Sequence, residues 1–173
     1  MAQPLEGTIL KIRPAIATDH TPIWDILRPV FRAGDTYSID ADIPQETALN
    51  YWCGPTHTTF VAEEDGTILG TYYIRRNQGG GGAHVCNCGY MTAASAQGKG
   101  VARAMMEHSF EAAQAAGFTA MQYNFVVETN SRAIVTWQKA GFDIVGRLPG
   151  AFVHPTRGPV DALVMYRNLG AVA

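Results

Sequence analysis

Apolar residues recur along this chain at two spacings, every second position and every third to fourth. Thr8–Pro14 sets Ile9, Leu10 and Ile12 among polar neighbours and reads as a first strand closed by proline. Ile23, Ile26, Leu27 and Val30 follow at helical spacing. Thr18 or Thr21 can cap that helix, Pro22 suits its first turn, and Pro29 is expected to kink or end it. A polar stretch over 32–42 leads to a short helix from Pro44 to about Trp52. Thr58–Ala62 and Ile68–Arg75 are β-rich runs separated by an Asp65-Gly66 hairpin signal. Gln78–Gly82 holds four consecutive glycines and closes the next hairpin as an exposed tip.

His84–Thr92 is the next strand, with Asn87, Gly89 and Met91 on one face and Cys86, Cys88 and Tyr90 on the other. An asparagine among small apolar neighbours costs roughly 1–3 kcal/mol unless its amide finds partners. Asn87 therefore either ties a local strand break or faces a polar ligand. Gly98–Ala116 carries Val101, Ala104, Met105, Ala112 and Ala115 on one side and is a well-buried helix stopped by Gly117. Thr119–Val127 is the following strand, so strand, loop, helix and strand make a βαβ unit with parallel neighbours. Asn130–Ala140 makes another helix closed by Gly141. Phe142–Val145 and Ala162–Arg167 complete the sheet, linked through Pro149-Gly150 and Arg157-Gly158-Pro159.

The βαβ unit contains the most specific chemistry in the chain. Gln97-Gly98-Lys99-Gly100-Val101-Ala102 leaves a strand and enters a helix whose first N–H groups lack intrahelical partners and carry the positive end of its dipole. Glycine at 98 and 100 lets the backbone turn those groups inward around an anion. A nucleotide P-loop would need Ser or Thr after Lys99, where Gly100 stands, and a dinucleotide fingerprint would need a third glycine where Arg103 stands. The pattern that fits is Q/R-x-x-G-x-G/A, met by Gln97, Gly100 and Ala102. A second motif, N-x-x-A ending in G-F, follows as Asn130, Ala133, Gly141 and Phe142.

With both motifs at this spacing the chain resembles the GCN5-related N-acetyltransferase (GNAT) family over nearly its full length. The resemblance implies one α/β (α+β) domain over 1–173: a mixed, mostly antiparallel twisted sheet, a splayed parallel pair that binds acetyl-CoA, and helices on both faces. It implies that Tyr90, Met91 and Thr92 offer backbone to the pantetheine arm. N–H groups from Gln97, Gly98, Lys99, Gly100, Val101 and Ala102 would hold the pyrophosphate, with Asn130, Ala133 and Trp137 also on the coenzyme. The family places a tyrosine as general acid at the position of Trp137, whose indole N–H is no useful acid. Water, Tyr123 or Tyr37 would have to serve.

Asn87, Asn124 and Asn130 also stand where proline-analogue (azetidine-2-carboxylate) N-acetyltransferases place asparagines, so Asn87 and Asn124 are expected to orient an amino or imino acid and the acetyl group. Asn130 can equally cap its helix, and Asn124 can bridge splayed backbone. Glu128 is the candidate general base, and Tyr37, in a segment that roofs the acceptor site in the family, is a candidate substrate contact beside Asp35, Asp40 and Asp42.

Composition narrows the classes. The chain is 47% hydrophobic and 16% charged, with a formal net charge of −2, and neither a basic excess nor a charge cluster beyond Arg75-Arg76 recommends nucleic acid. No run approaches a membrane span of roughly 18 apolar residues, and a cytoplasmic protein is expected. Three cysteines and five histidines at no ligand spacing argue for neither a disulfide framework nor a metal. The expectation is an acetyl-CoA-dependent N-acetyltransferase acting on a small-molecule amine, with detoxification as its purpose. A protein or peptide N-acetyltransferase and a non-catalytic acyl-CoA-binding module are the alternatives, and a homodimer is expected only from the family's habit.

Overall fold

In the computed structural model, which describes residues 10–170, the N-terminal half folds as a meander. β1 (Lys11–Pro14), β2 (His57–Glu64), β3 (Thr67–Arg76) and β4 (Val85–Thr92) pair antiparallel in sequence order. Thr8 and Ile9 of the expected first strand lie outside the described residues. Between β2 and β3 the chain turns through Asp65 at φ 49° and Gly66 at φ 76°, the two left-handed residues that a tight hairpin demands. The tetraglycine is an exposed 3-10 turn at Gly80–Gly82.

β5 (Ala120–Val127) joins β4 in parallel, and β6 (Asp143–His154) and β7 (Gly158–Asn168) form a long hairpin whose second strand pairs with β5, giving the order β1-β2-β3-β4-β5-β7-β6. That hairpin is longer than the sequence pattern suggests. Pro149-Gly150 does not leave the sheet; it forms a bulge between Leu148 and Phe152, fixed by a 2.9 Å bond from the Gly150 N–H to Asp161 Oδ1. β6 is an edge strand, the place where proline and bulges are tolerated.

Helices α1 (His20–Ala33) and α2 (Gln45–Trp52) cover one face and α3 (Val101–Ala115) and α4 (Ser131–Lys139) the other. α1 runs on through Pro29 to Gly34 at φ 63°, so of the two expected effects, a kink or an end, the proline does not end the helix. The carbonyl that Pro29 cannot bond belongs to Asp25, and both residues are exposed, so that carbonyl is open to solvent while Ile23, Leu27 and Phe31 hold the buried face. Neither Thr18 nor Thr21 caps α1. The chain enters it through a 3-10 turn at Ala17–Asp19, whose Asp19 carboxylate accepts the Ile16 N–H at 2.8 Å and two Arg13 bonds at 2.7 and 3.0 Å.

Behind α2, Trp52 donates to the Thr71 hydroxyl at 3.0 Å, which donates to the Phe60 carbonyl at 2.9 Å, so the buried indole is satisfied. On the opposite face α3 lies close against β3, where a Cβ on Gly70 would stand 2.8 Å from the end of Met105 and 3.0 Å from Val101. No helix among the described residues is long and apolar enough to cross a membrane.

Candidate active site

β4 and β5 begin as neighbours and then part. Their parallel pairing covers only Val85↔Ala120 and Cys86↔Met121. Beyond it β5 bulges between Tyr123 and Val126 while keeping its bonds to β7, so it leaves β4 without leaving the sheet. At the point of parting the buried Asn87 side chain donates from Nδ2 to the Gln122 carbonyl at 2.8 Å, and its Oδ1 lies 3.4 Å from the Tyr73 hydroxyl. Asn87 thus ties the strand break.

Past Asn87 the inner edge of β4 faces an open wedge. Backbone groups of successive residues turn alternately to the two sides of a strand. Met91, paired with Thr71, turns its N–H and C=O to β3, so of the three residues expected to offer backbone only Tyr90 and Thr92 present theirs to the wedge. Those of Tyr90 are taken already: the Tyr37 hydroxyl donates to its carbonyl at 2.9 Å and accepts its N–H at 3.1 Å. Burial pushes the Tyr37 phenol well above its ordinary range, so it stays protonated.

The wedge opens into a cavity of about 810 Å³ running from the α1–α2 connection, with Tyr37 and Ile39, to the start of α3 and one face of α4. Gly98 and Gly100 adopt φ 77° and 79°, and α3 begins at Val101 rather than at Gly98, because these left-handed residues form the turn itself. Gln97, Gly98, Gly100, Val101 and Ala102 line the cavity, whereas Lys99 does not, and its N–H is bonded to the Ala96 carbonyl at 3.2 Å. The unpartnered first amides of α3 therefore open onto the cavity end. From α4 come Asn130, Ala133 and Trp137. Asn130 is the N-cap residue by position, but its side chain makes no capping bond.

The remaining candidates separate. Asn124 lines the cavity, yet its amide is held on both sides: Nδ2 donates to Asn77 Oδ1 at 2.7 Å and Oδ1 accepts Gln122 Nε2 at 2.8 Å. Glu128 lies outside the wall, bonded to Arg147 at 2.8 Å and to the Asp161 N–H at 3.2 Å. Asp35, Asp40 and Asp42 are outside it too. Trp137 packs on the Tyr123 ring at 4.8 Å. The Tyr123 hydroxyl donates to Tyr90 at 3.2 Å, Tyr90 reaches Ser109 at 2.7 Å, and Ser109 donates to the Met106 carbonyl at 2.7 Å. Burial raises both phenols, and it raises the Cys86 thiol to about 12 and Cys88 further, so neither thiol is a nucleophile.

Three arginines (Arg75, Arg103, Arg132) and no carboxylate stand among the residues lining the cavity. The sequence reading weighed Arg75 only as part of an Arg75-Arg76 pair. The β3–β4 register that sets it opposite Asn87 was the missing signal.

The model of the Acetyltransferase (GNAT) family matches residues 21–142. The chain belongs to this family. A GCN5-related N-acetyltransferase from Kribbella flavida is 41% identical, covering 92% of this chain and 97% of its own, with a TM-score of 0.86. N-acetyltransferase aca1 of Schizosaccharomyces pombe is 26% identical over 148 residues, 76% of this chain and 71% of the relative. A GNAT phosphinothricin acetyltransferase from Sinorhizobium meliloti, solved in complex with acetyl-CoA, shares the fold at 22% identity and a TM-score of 0.81 over 93% of this chain and 89% of its own. The protein is accordingly a GNAT N-acetyltransferase, an acyltransferase built on a single GNAT-fold domain.

Proposed function

We propose that the protein transfers the acetyl group of acetyl-CoA to the amine of a small molecule, an amino or imino acid or a toxic analogue of one, by direct attack in a ternary complex. The observation that carries this reading is the wedge: two parallel pairs, an abrupt parting, and a cavity that runs from a left-handed Gly98/Gly100 turn to the segment around Tyr37. The site fits the coenzyme. The first amides of α3, with Arg103 in the same turn and Arg132 in the same cavity wall, suit a pyrophosphate, and the inner edge of β4 at Thr92 and Tyr90 suits an amide-bearing arm. Bound there, acetyl-CoA supplies the activated acetyl group.

The chain's own residues have three tasks. The Tyr90 N–H, once Tyr37 yields it, is a donor for a carbonyl oxygen in the wedge. Tyr123 takes the place of the family's tyrosine as the hydroxyl that gives a proton to a departing thiolate. It stays protonated because it is buried; to act it turns its O–H from Tyr90 to the thiolate, and the phenolate regains a proton, through water, from the one the acetylated amine sheds. With no carboxylate in the cavity wall, the acceptor must enter as its neutral amine or pass its proton to water. A cytoplasmic detoxifying enzyme, working alone or as a homodimer, is the setting this reading implies.

The test is CoA release in a free-thiol assay with acetyl-CoA and a panel of azetidine-2-carboxylate, proline, common amino acids, polyamines and short peptides. Turnover of imino or amino acids is expected. Turnover of peptides alone would favour a protein or peptide acetyltransferase, and acetyl-CoA binding without any turnover would favour a non-catalytic module.

A further inference from the structure

An amino acid acceptor, the reading on which this inference rests, needs a counter-charge for its carboxylate. The asparagines expected to supply a neutral clamp are spent: Asn124 is held by Asn77 and Gln122, and Asn87 ties β4 to the Gln122 carbonyl. The free charge lies across the strand. Arg75 sits on β3 opposite Asn87 on one side and His57 on the other, and it lines the cavity. Its Nε is buried without a hydrogen-bond partner, and no carboxylate pairs with it among the described residues. His57 Nε2 is a second buried nitrogen without a partner. His57 Nδ1 lies 3.2 Å from the Thr56 hydroxyl and the ring is outside the cavity lining, so the orphaned donor at the cavity is the Arg75 Nε–H, and the group it lacks is an acceptor. Burial and the Arg75 charge both lower the His57 pKa, which agrees with a neutral ring.

Position separates this cation from the other two. Arg103 stands in the first turn of α3, directly after the anion loop, where it pairs with Glu107, and Arg132 stands in the first turn of α4. Arg75 is level with Asn87, five residues before Thr92, or about 17 Å along β4. The cavity thus has two positive poles, one for the coenzyme phosphates and one at the end where an acceptor must lie. A guanidinium there also favours the free base of a nearby amine over its ammonium form.

We propose that Arg75 is the acceptor anchor: it binds the carboxylate, or a comparable compact oxyanion, of an acidic amine and turns cationic amines away. Arginine suits this task because its planar fork meets a carboxylate with two parallel bonds.

The experiment compares proline with pyrrolidine, and azetidine-2-carboxylate with azetidine, by calorimetric binding to the protein saturated with CoA and by CoA release with acetyl-CoA. Wild type, Arg75→Gln and Arg75→Lys are measured together, and the acetyl-CoA Kd of each serves as a check on folding. Expected is a preference of wild type for each acid, by about tenfold or more, over its uncharged-carbon counterpart. In Arg75→Gln that preference is lost through a weaker Kd or higher KM for the acid, with acetyl-CoA affinity unchanged, and Arg75→Lys recovers part of it. Equal binding of acid and amine by wild type, no binding of either acid, or a preference that survives Arg75→Gln would overturn the assignment. Failure of wild type to bind acetyl-CoA would instead remove the proposed function.

Discussion

The Tyr37 hydroxyl holds both polar groups of a single residue, donating to the Tyr90 carbonyl at 2.9 Å and accepting the Tyr90 N–H at 3.1 Å. A side chain from the α1–α2 connection thereby does what a neighbouring strand would do for β4. Any ligand that pairs with Tyr90 must displace it.

Tyr37→Phe removes this competition while keeping the edge-on ring contacts to Phe31 and Trp52 at 6.0 and 6.1 Å. Acetyl-CoA should bind several-fold more tightly, because about one net hydrogen bond no longer has to be broken, against a small loss of Tm in the free protein. Calorimetry on both proteins decides the matter, and an unchanged Kd would mean that the phenol and the arm do not compete.

Gly100→Val tests the loop. A Cβ at this position meets nothing within 4 Å, so the cost is not a clash within the chain but the φ of 79°. Forcing a β-branched residue into that region costs about 1–3 kcal/mol or turns the α3 amides away. Acetyl-CoA affinity should fall at least tenfold, whereas Lys99→Ala, outside the cavity, should change it less than threefold.

Glu128→Gln should leave turnover within about twofold of wild type from pH 6 to 10, since the carboxylate serves Arg147 and the Asp161 amide rather than the cavity. Both rates should climb with pH until the acceptor's own amine is neutral. A selective loss of the variant's rate at low pH would restore Glu128 as a base.

Acid stability should depend on Asp19. Hydrogen bonds from Arg13 hold this buried carboxyl below its ordinary 3.8, so at acid pH the unfolded chain binds the extra proton. The contribution is complete above that value and disappears as pH falls through the native pKa. Asp19→Asn should cost about 2 kcal/mol at pH 7 and flatten the urea-midpoint profile below pH 4.

Much of this fold can be read from local signals. The Asp65-Gly66 turn, the βαβ order and the left-handed glycines each follow from residues within one turn of each other. Pro29 does not end α1 because its effect depends on which carbonyl it strands, and that is a matter of which side of the helix faces water. The cavity wall was legible where a motif spells it, at Gln97, Gly98, Gly100, Val101 and Ala102 and at Asn130, Ala133 and Trp137, but not at Lys99. Glu128 and the asparagine pair could not be judged from spacing. Their amides and carboxylate are committed to Arg147, Asn77 and Gln122, and apart from the Gln122 side chain two residues from Asn124, these partners are brought in by the sheet from 19 to 47 residues away. Arg75 was hidden for the same reason, since its neighbours come from two other strands.

The short contact between β4 and β5 also makes the sheet two plates joined by a seam. Two register pairs, the bond from the Thr119 N–H to the His84 carbonyl, and the Asn87, Asn124 and Tyr123 side chains join β1–β4 to β5–β7. One core beneath α3 and α4 still spans both plates, so the seam is where the sheet parts most easily. In the free protein, amide exchange should divide along this line, and a coenzyme lying in the gap would act as the rivet that makes the plates unfold together.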